Sequence, residues 1–502
     1  MDMEENLEKR ESKVYNWLSD KYNLGLIAIL VFAFLVRLYY FTITKDQALW
    51  WDELIYGTLA KNILSGFAYS QMPILVGEIM IRPPIVPFLW AALMKIGFEE
   101  PASKFVFEFI PSFLSILMVY LIGEKMYNKK IALIASAILA VSWLHIFYSM
   151  RMLTDVPAPF FALLSIYFFF KAGEDLKLKP FALSIFSLSI AILIRYPVGL
   201  IGFVYIAFLL FTQKLSFLKN KKFWIGGIIG MIPIIILFTF NFFTSGSLFP
   251  AAENYAQSAG EKTSFAYYTL GFLPHILQWP FLILFVAGIL IVLLRLFVGY
   301  DLINKDKMLK SDLFLSLLLI FTLAFFIFLI KAAEDRYLFI AVLSIVVFPA
   351  IAIEKIASFL QKNYKISAIL VVSVLLLAGA YYNYTYGDAI IKDKAQSYYD
   401  IKQASLWMNT NLPNGSRIIG ETSSPYIIYY APNLVAVDYP PTSIPSNYTP
   451  DADYLFWSAY NWHNDYIKNY LPKIQNDLNP VYATFFDTQK TQPSVIIYQF
   501  KK

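Results

Sequence analysis

Two adjacent carboxylates, Asp52 and Glu53, stand just beyond the first long apolar run of the chain, flanked by Trp50, Trp51 and Tyr56. Carboxylates at the rim of a bilayer are costly to hold there and usually serve binding or chemistry. The segment reads Asp-Glu-x-x-Tyr-x-x-x-Ala-x-x-Ile-x-x-Gly from Asp52 to Gly66. Its apolar spacing predicts an amphipathic helix of about four turns, with Asp52 near the start and Gly66 at the stop. Asp52 suits two roles, an N-cap for that helix or a general base at the membrane surface. Adjacent helical residues diverge by about 100°, so only one of the two carboxylates is expected to face a given substrate atom.

A third acid, Asp155, follows Arg151, Met152, Leu153 and Thr154 and precedes Pro157 and Pro159. Thr154 or Asp155 would equally cap the next helix, whose first turn accepts Pro157. Arg82, Arg195 and Arg336 recur at the ends of apolar runs, the last beside Glu334, Asp335 and Tyr337. One such arginine alone suits an interfacial snorkelling residue. Several converging on one cavity would clamp a phosphate, because the guanidinium fork matches its oxygens.

The elements that must position these residues are membrane helices. Over 502 residues the hydrophobic fraction is 58%, the aromatic fraction 18% and the charged fraction 15%, outside the soluble range. Apolar stretches long enough to cross roughly 30 Å of hydrocarbon predict about eleven spans, at 24–44, 105–124, 131–149, 156–171, 180–194, 197–212, 223–243, 275–298, 311–330, 337–354 and 366–386. The apolar run 84–97 is read instead as a helix lying in the outer interface. Residues 1–390 are thus expected to form a membrane domain and residues 391–502 a soluble one. The chain has no cysteine, which excludes disulfides and thiolate sites. Its three histidines, His145, His275 and His463, are too scattered for a zinc signature.

Lysines fill alternate connections, including Lys125, Lys129 and Lys130, then Lys219, Lys221 and Lys222, then Lys305, Lys307 and Lys310. The positive-inside rule places these loops in the cytoplasm, together with the basic N-terminal segment carrying Lys9, Arg10, Lys13 and Lys21. The remaining connections then face outward, and they hold Asp52, Glu53, Arg82, Arg151, Asp155, Arg195 and Arg336. An odd number of spans also leaves the C-terminal domain outside. The net charge of +6 is accounted for by these cytoplasmic lysines and does not argue for nucleic acid.

In these motifs the chain resembles the membrane glycosyltransferases of the GT-C superfamily, in the branch of the protein O-mannosyltransferases and the lipid A aminoarabinose transferases. The resemblance rests on Asp52-Glu53-x-x-Tyr56 with Ala60, Ile63 and Gly66, on Arg82-Pro83-Pro84 where the family often has Lys-Pro-Pro, on Leu153-Thr154-Asp155-x-Pro157, and on Arg336-Tyr337. It implies inverting, single-displacement transfer of a sugar from a polyprenyl (dolichyl or undecaprenyl) phosphate to a lipid, glycan or protein acceptor on the outer face. Asp52 would be the base, with Glu53 and Asp155 as further catalytic acids. Arg82, Arg151, Arg195 and Arg336 would meet the donor phosphate, and Tyr56 and Tyr337 the substrates. Asp52, Glu53 and Asp155 have the chemistry to ligate a divalent ion, yet the relatives generally need none, so no cofactor is expected. The aminoarabinose transferases carry an arginine two residues after the first-loop Glu, where this chain has Ile55. A polytopic transporter or lipid flippase is the alternative from another class, and it would need charged residues near the bilayer midplane.

In the tail, alternating patterns predict a small α/β domain with strands at 417–420, 454–457, 481–485 and 495–500 and helices at 396–409 and 464–474. Its aromatic cluster of Tyr454, Phe456, Trp457, Tyr460 and Trp462 suits a core better than a sugar or peptide platform.

Overall fold

The computed structural model describes residues 17–66, 82–248, 265–330, 334–420, 424–437, 451–460 and 471–501 except 473. The predicted helix over 464–474 therefore lies largely outside the described residues, as do Trp462, His463 and the basic residues before Lys21. The helices used below are α1 (Lys21–Thr44), α2 (Trp51–Leu64), α3 (Ile85–Lys95), α4 (Ile110–Met126), α5 (Lys129–Val141), α6 (Trp143–Tyr148), α7 (Pro157–Ala172), α8 (Leu178–Ile194), α9 (Leu200–Gln213), α10 (Lys221–Ser245), α11 (Leu273–Val298), α12 (Lys307–Ala324), α13 (Val342–Tyr364), α14 (Ala368–Ala395), α15 (Tyr399–Asn411) and α16 (Ser424–Tyr430).

Among the described residues, eight helical stretches are long and apolar enough to cross a membrane, and the shorter apolar helices α7 and α8 stand where two further spans are predicted. The protein is a multi-pass membrane protein. The stretch 131–149 departs from expectation, because it is two helices broken at Ser142, whose ψ of 111° is extended. The break is tolerated because a side chain replaces a lost backbone partner: Trp143 N–H donates to Asn383 Oδ1 of α14 at 3.3 Å. Helix α11 is likewise kinked at Gln278, two residues before Pro280. The carbonyl of His275 freed there accepts from Gln278 Nε2 at 2.7 Å and from Trp143 Nε1 at 2.9 Å.

The chain divides into two compact units. The first comprises residues 1–43, 83–85 and 100–391, and in it α8 packs between α7 and α10, and α4 against α5 and α7. Helices α11 and α13 pack closely because Gly288 has no side chain: a Cβ there would lie 2.0 Å from the Phe348 carbonyl oxygen. Backbone cannot retreat as a side-chain tip can, so Gly288→Ala is expected to cost about 1–3 kcal/mol of stability. Thermal unfolding in detergent checks this, and an unchanged midpoint would show that the two helices separate freely.

The second unit comprises residues 44–82, 86–99 and 392–502. It holds a five-stranded sheet in the order β2-β1-β3-β5-β4, built from β1 (Arg417–Gly420), β2 (Val435–Val437), β3 (Tyr454–Ser458), β4 (Leu478–Phe485) and β5 (Pro493–Phe500). The β1 strand runs parallel to β2 and β3, whereas β5 is antiparallel to β3 and β4. The strand β2 and helix α16 are absent from the sequence prediction, being too short for periodicity to register. Tyr454 and Phe456 are buried, as a core role requires.

Helix α2 belongs to this second unit through its contact with α16. Lys61 donates to the Tyr429 carbonyl at 2.7 Å and lies 3.7 Å from the centre of its ring. Gly57 permits that approach, since a Cβ there would meet Tyr429 Cε2 at 2.5 Å and Trp90 Cη2 at 3.0 Å.

Candidate active site

Trp50, with extended backbone (φ −83°, ψ 171°), is the N-cap of α2, and Glu53 at the third helical position accepts its backbone N–H. This corrects one sequence reading: the helix start is held by Glu53 and not by Asp52, because the third position is where a side chain reaches back to the cap. Glu53 is fully buried. Asp52, one residue around the helix, is partly exposed and pairs with Arg82, Oδ1 to Nη2 at 2.9 Å. The guanidinium of Arg82 also lies 5.8 Å from the ring centre of Tyr56, one turn along α2 from Asp52. Asp52, Arg82 and Tyr56 thus form one cluster, wholly within the second unit.

A second cluster lies in the first unit. Asp155 is 1% exposed, in the turn that enters α7. Arg195, in extended conformation at the end of α8, places Nη1 2.9 Å from Asp155 Oδ1 and 2.7 Å from the Thr154 hydroxyl. Arg336, in the 3-10 turn Asp335–Ala341 that leads into α13, places Nη1 3.5 Å from Asp155 Oδ2, while its Nε donates to Glu334. The Tyr337 ring lies 5.1 Å from the Arg195 guanidinium and stacks on Phe326 at 4.7 Å. Residues dispersed along the sequence are here brought together, which their positions in the chain did not reveal. Arg151 is also buried, in the turn just before.

Asp155 and Glu334 here meet Arg195 and Arg336. Both guanidinium groups are held by carboxylates, and Glu334, with its side chain 44% exposed, is the freer of the two acids to move. Asp155 then remains as the fixed counter-charge that keeps both forks aimed.

Two further networks escaped the sequence reading, which weighed the histidines only as metal ligands. Arg37, fully buried in α1, lies 2.7 Å from the Ser112 hydroxyl and 3.0 Å from His145 Nδ1. An arginine within an otherwise apolar span is the signal that marks it. It sits seven residues from the end of α1 at Thr44, roughly 10 Å along the helix.

The other network runs from Asp335 through His275 to Tyr386. His275 Nδ1 lies 3.0 Å from Asp335 Oδ2, and its Nε2 is hydrogen-bonded to the Tyr386 hydroxyl. With a proton on Nδ1 donated to Asp335, Nε2 accepts from Tyr386. The chain ties the turn bearing Arg336 to α11 and α14. Replacing His275 with Ala is therefore expected to cost that turn about 1–3 kcal/mol. Hydrogen exchange should report faster opening of residues 335–341 with α13 beyond them unchanged; equal protection in the variant would refute the tether. Among the described residues, no group of three or more His, Asp or Glu side chains is arranged to hold a metal ion.

Residues 81–238 match the family model of the dolichyl-phosphate-mannose-protein mannosyltransferases. An uncharacterized protein of Aquifex aeolicus is 28% identical over 206 residues, 40% of this chain, and the match spans only 40% of that relative's length. The structure of ArnT from Cupriavidus metallidurans bound to undecaprenyl phosphate aligns with a TM-score of 0.66 at 10% identity, over 94% of this chain and 98% of ArnT. The archaeal oligosaccharyltransferase AglB from Archaeoglobus fulgidus, in complex with an inhibitory peptide and a dolichol-phosphate, aligns at 0.59 and 14% identity, over 96% of this chain and 74% of AglB. The mycobacterial arabinofuranosyltransferase AftD aligns at 0.57 and 12% identity, over 94% of this chain and 40% of AftD.

Proposed function

From the GT-C fold that this chain has, in its protein mannosyltransferase- and ArnT-like form, we propose that it is a glycosyltransferase that moves a sugar from a polyprenyl-phosphate carrier to a lipid, glycan or protein acceptor. The observation that carries the reading is buried Asp155 held between Arg195 and Arg336. Such a cluster is an electrostatic mould for a departing phosphate, preorganised in a poorly hydrated place where fixed charges act strongly. ArnT with undecaprenyl phosphate and AglB with dolichol-phosphate and peptide support the donor class and a range of acceptors.

In the proposed reaction the acceptor hydroxyl loses its proton to Asp52 as its oxygen bonds to the anomeric carbon. The bond from that carbon to the phosphate oxygen breaks, and the polyprenyl phosphate leaves with the electron pair, its charge met by guanidinium groups. Attack opposite the leaving group inverts the configuration. Arg82 orients the Asp52 carboxylate, and Glu53 fixes the helix turn from which Asp52 projects. Arg151 adds positive charge beside the phosphate cluster, and Tyr56 and Tyr337 supply flat faces against the guanidinium groups. The lysine-rich connections support a cytoplasmic N-terminus with the reaction on the extracytoplasmic face.

The test is consumption of carrier-linked sugar by the purified protein in lipid, across dolichyl- and undecaprenyl-phosphate donors. Turnover that yields free polyprenyl phosphate supports the assignment. Should no donor be consumed while the intact carrier lipid crosses the bilayer, the protein is a flippase.

A further inference from the structure

Within the second unit, next to the start of α2, lies an open cavity of about 700 Å³, within the range of roughly 300–1,000 Å³ typical of small-molecule sites. Five aromatic side chains line it: Trp50, Trp51, Tyr398, Tyr426 and Tyr460. Gln396 and Ser397 add an amide and a hydroxyl to the lining. The charges at the mouth oppose each other, since Lys394 pairs with Asp393 at 3.1 Å.

We propose that this cavity binds a neutral saccharide and serves as the acceptor subsite. Flat aromatic faces match the apolar C–H face of a sugar ring, while the amide and hydroxyls match its rim of hydroxyl groups. A phosphate-bearing ligand would find a single lysine, already paired with a carboxylate, so the donor head group is a poor fit. Backbone strain points to the same place. Tyr398, a non-glycine residue, is held at φ +61° as the N-cap of α15, a conformation that persists where surrounding structure imposes it and that clusters at ligand sites. There its ring meets those of Tyr426 and Tyr460, at 6.0 and 5.6 Å. The Tyr460 hydroxyl lies 3.4 Å from Asp400 Oδ2 and is pushed up to about 12 by burial and by Asp400, so it stays protonated as a hydrogen-bond donor. Trp51, 38% exposed, opens the helix that carries Asp52, the proposed base.

Saccharide binding stands on the cavity alone, whereas its role as acceptor subsite rests on the transferase reading. The experiment titrates the full-length protein in lipid nanodiscs with short gluco-, manno- and galacto-oligosaccharides, by calorimetry and tryptophan fluorescence. At least one series is expected to bind saturably. Trp51→Ala and Tyr460→Ala should each weaken that binding by about threefold to tenfold, the worth of one aromatic contact. Trp51→Phe should restore most of it. Unchanged gel-filtration behaviour establishes that the variants are folded. Absence of saturable binding by every series, or binding indifferent to both alanine substitutions, overturns the proposal. Binding without transfer from any carrier-linked donor overturns the transferase reading and its acceptor role, and leaves the saccharide site standing.

Discussion

Asp52→Asn is expected to lower sugar transfer by about 10²- to 10⁴-fold, the usual worth of a positioned general base. The substitution keeps shape and hydrogen-bonding capacity but removes the charge that accepts a proton. Folding should survive it, because the start of α2 depends on Glu53 and Trp50, and Asp52 is partly exposed. Affinity for the donor should change little, since the arginines assigned to phosphate gather on Asp155. The decisive measurement is a single-turnover assay with a carrier-linked donor in excess, beside direct binding of the same donor. A variant turning over within a factor of two or three of the wild type would remove Asp52 from the chemistry. Glu53→Gln should behave differently, weakening the helix start by about 0.5–2 kcal/mol with a smaller effect on rate.

Asp155→Ala should produce the largest loss of stability. Asp155 is 1% exposed and lies against two guanidinium groups. Removing it leaves Arg195 and Arg336 as neighbouring like charges with little water, and breaking a buried pair in this way costs about 3–5 kcal/mol. Denaturant or thermal unfolding in mixed micelles reports the shift. Pairing the substitution with Arg195→Met should recover part of the loss, because the guanidinium 2.9 Å from the lost carboxylate is removed with it. An Asp155→Ala protein as stable as the wild type, or a double variant no better than the single, would mean that the cluster is well solvated. Donor binding should weaken in Asp155→Ala as well, since the forks lose their fixed counter-charge.

Much of the organisation follows from local pattern. The α2 helix, the four strands β1, β3, β4 and β5, and the start of α7 at Pro157 lie close to where periodicity and turn chemistry place them. Such features depend on residues a few positions apart. The break at Ser142 was not legible, because it is held by a distant partner, Asn383, whereas the kink at Gln278 has a local signal in Pro280 and only the partner of its freed carbonyl, Trp143, is distant. His275 shows the same limit. As one histidine in a sequence it carries no meaning, and only the fold sets Asp335 on one side of it and Tyr386 on the other.

The sequence by itself determined the class of molecule, a helical membrane protein with a small α/β tail, and the residue types on which the proposed chemistry rests. Span length, lysine distribution and short acidic motifs are local properties, and hydrocarbon thickness and charge cost read them directly. Tertiary structure alone decided the partnerships. It set Arg82 on Asp52 and both Arg195 and Arg336 on Asp155, and it placed α2 in one compact unit with the C-terminal sheet through Gly57, Lys61 and Tyr429. Ion pairing and close packing act over a few ångströms in space, whatever the distance along the chain, so only folding can specify them.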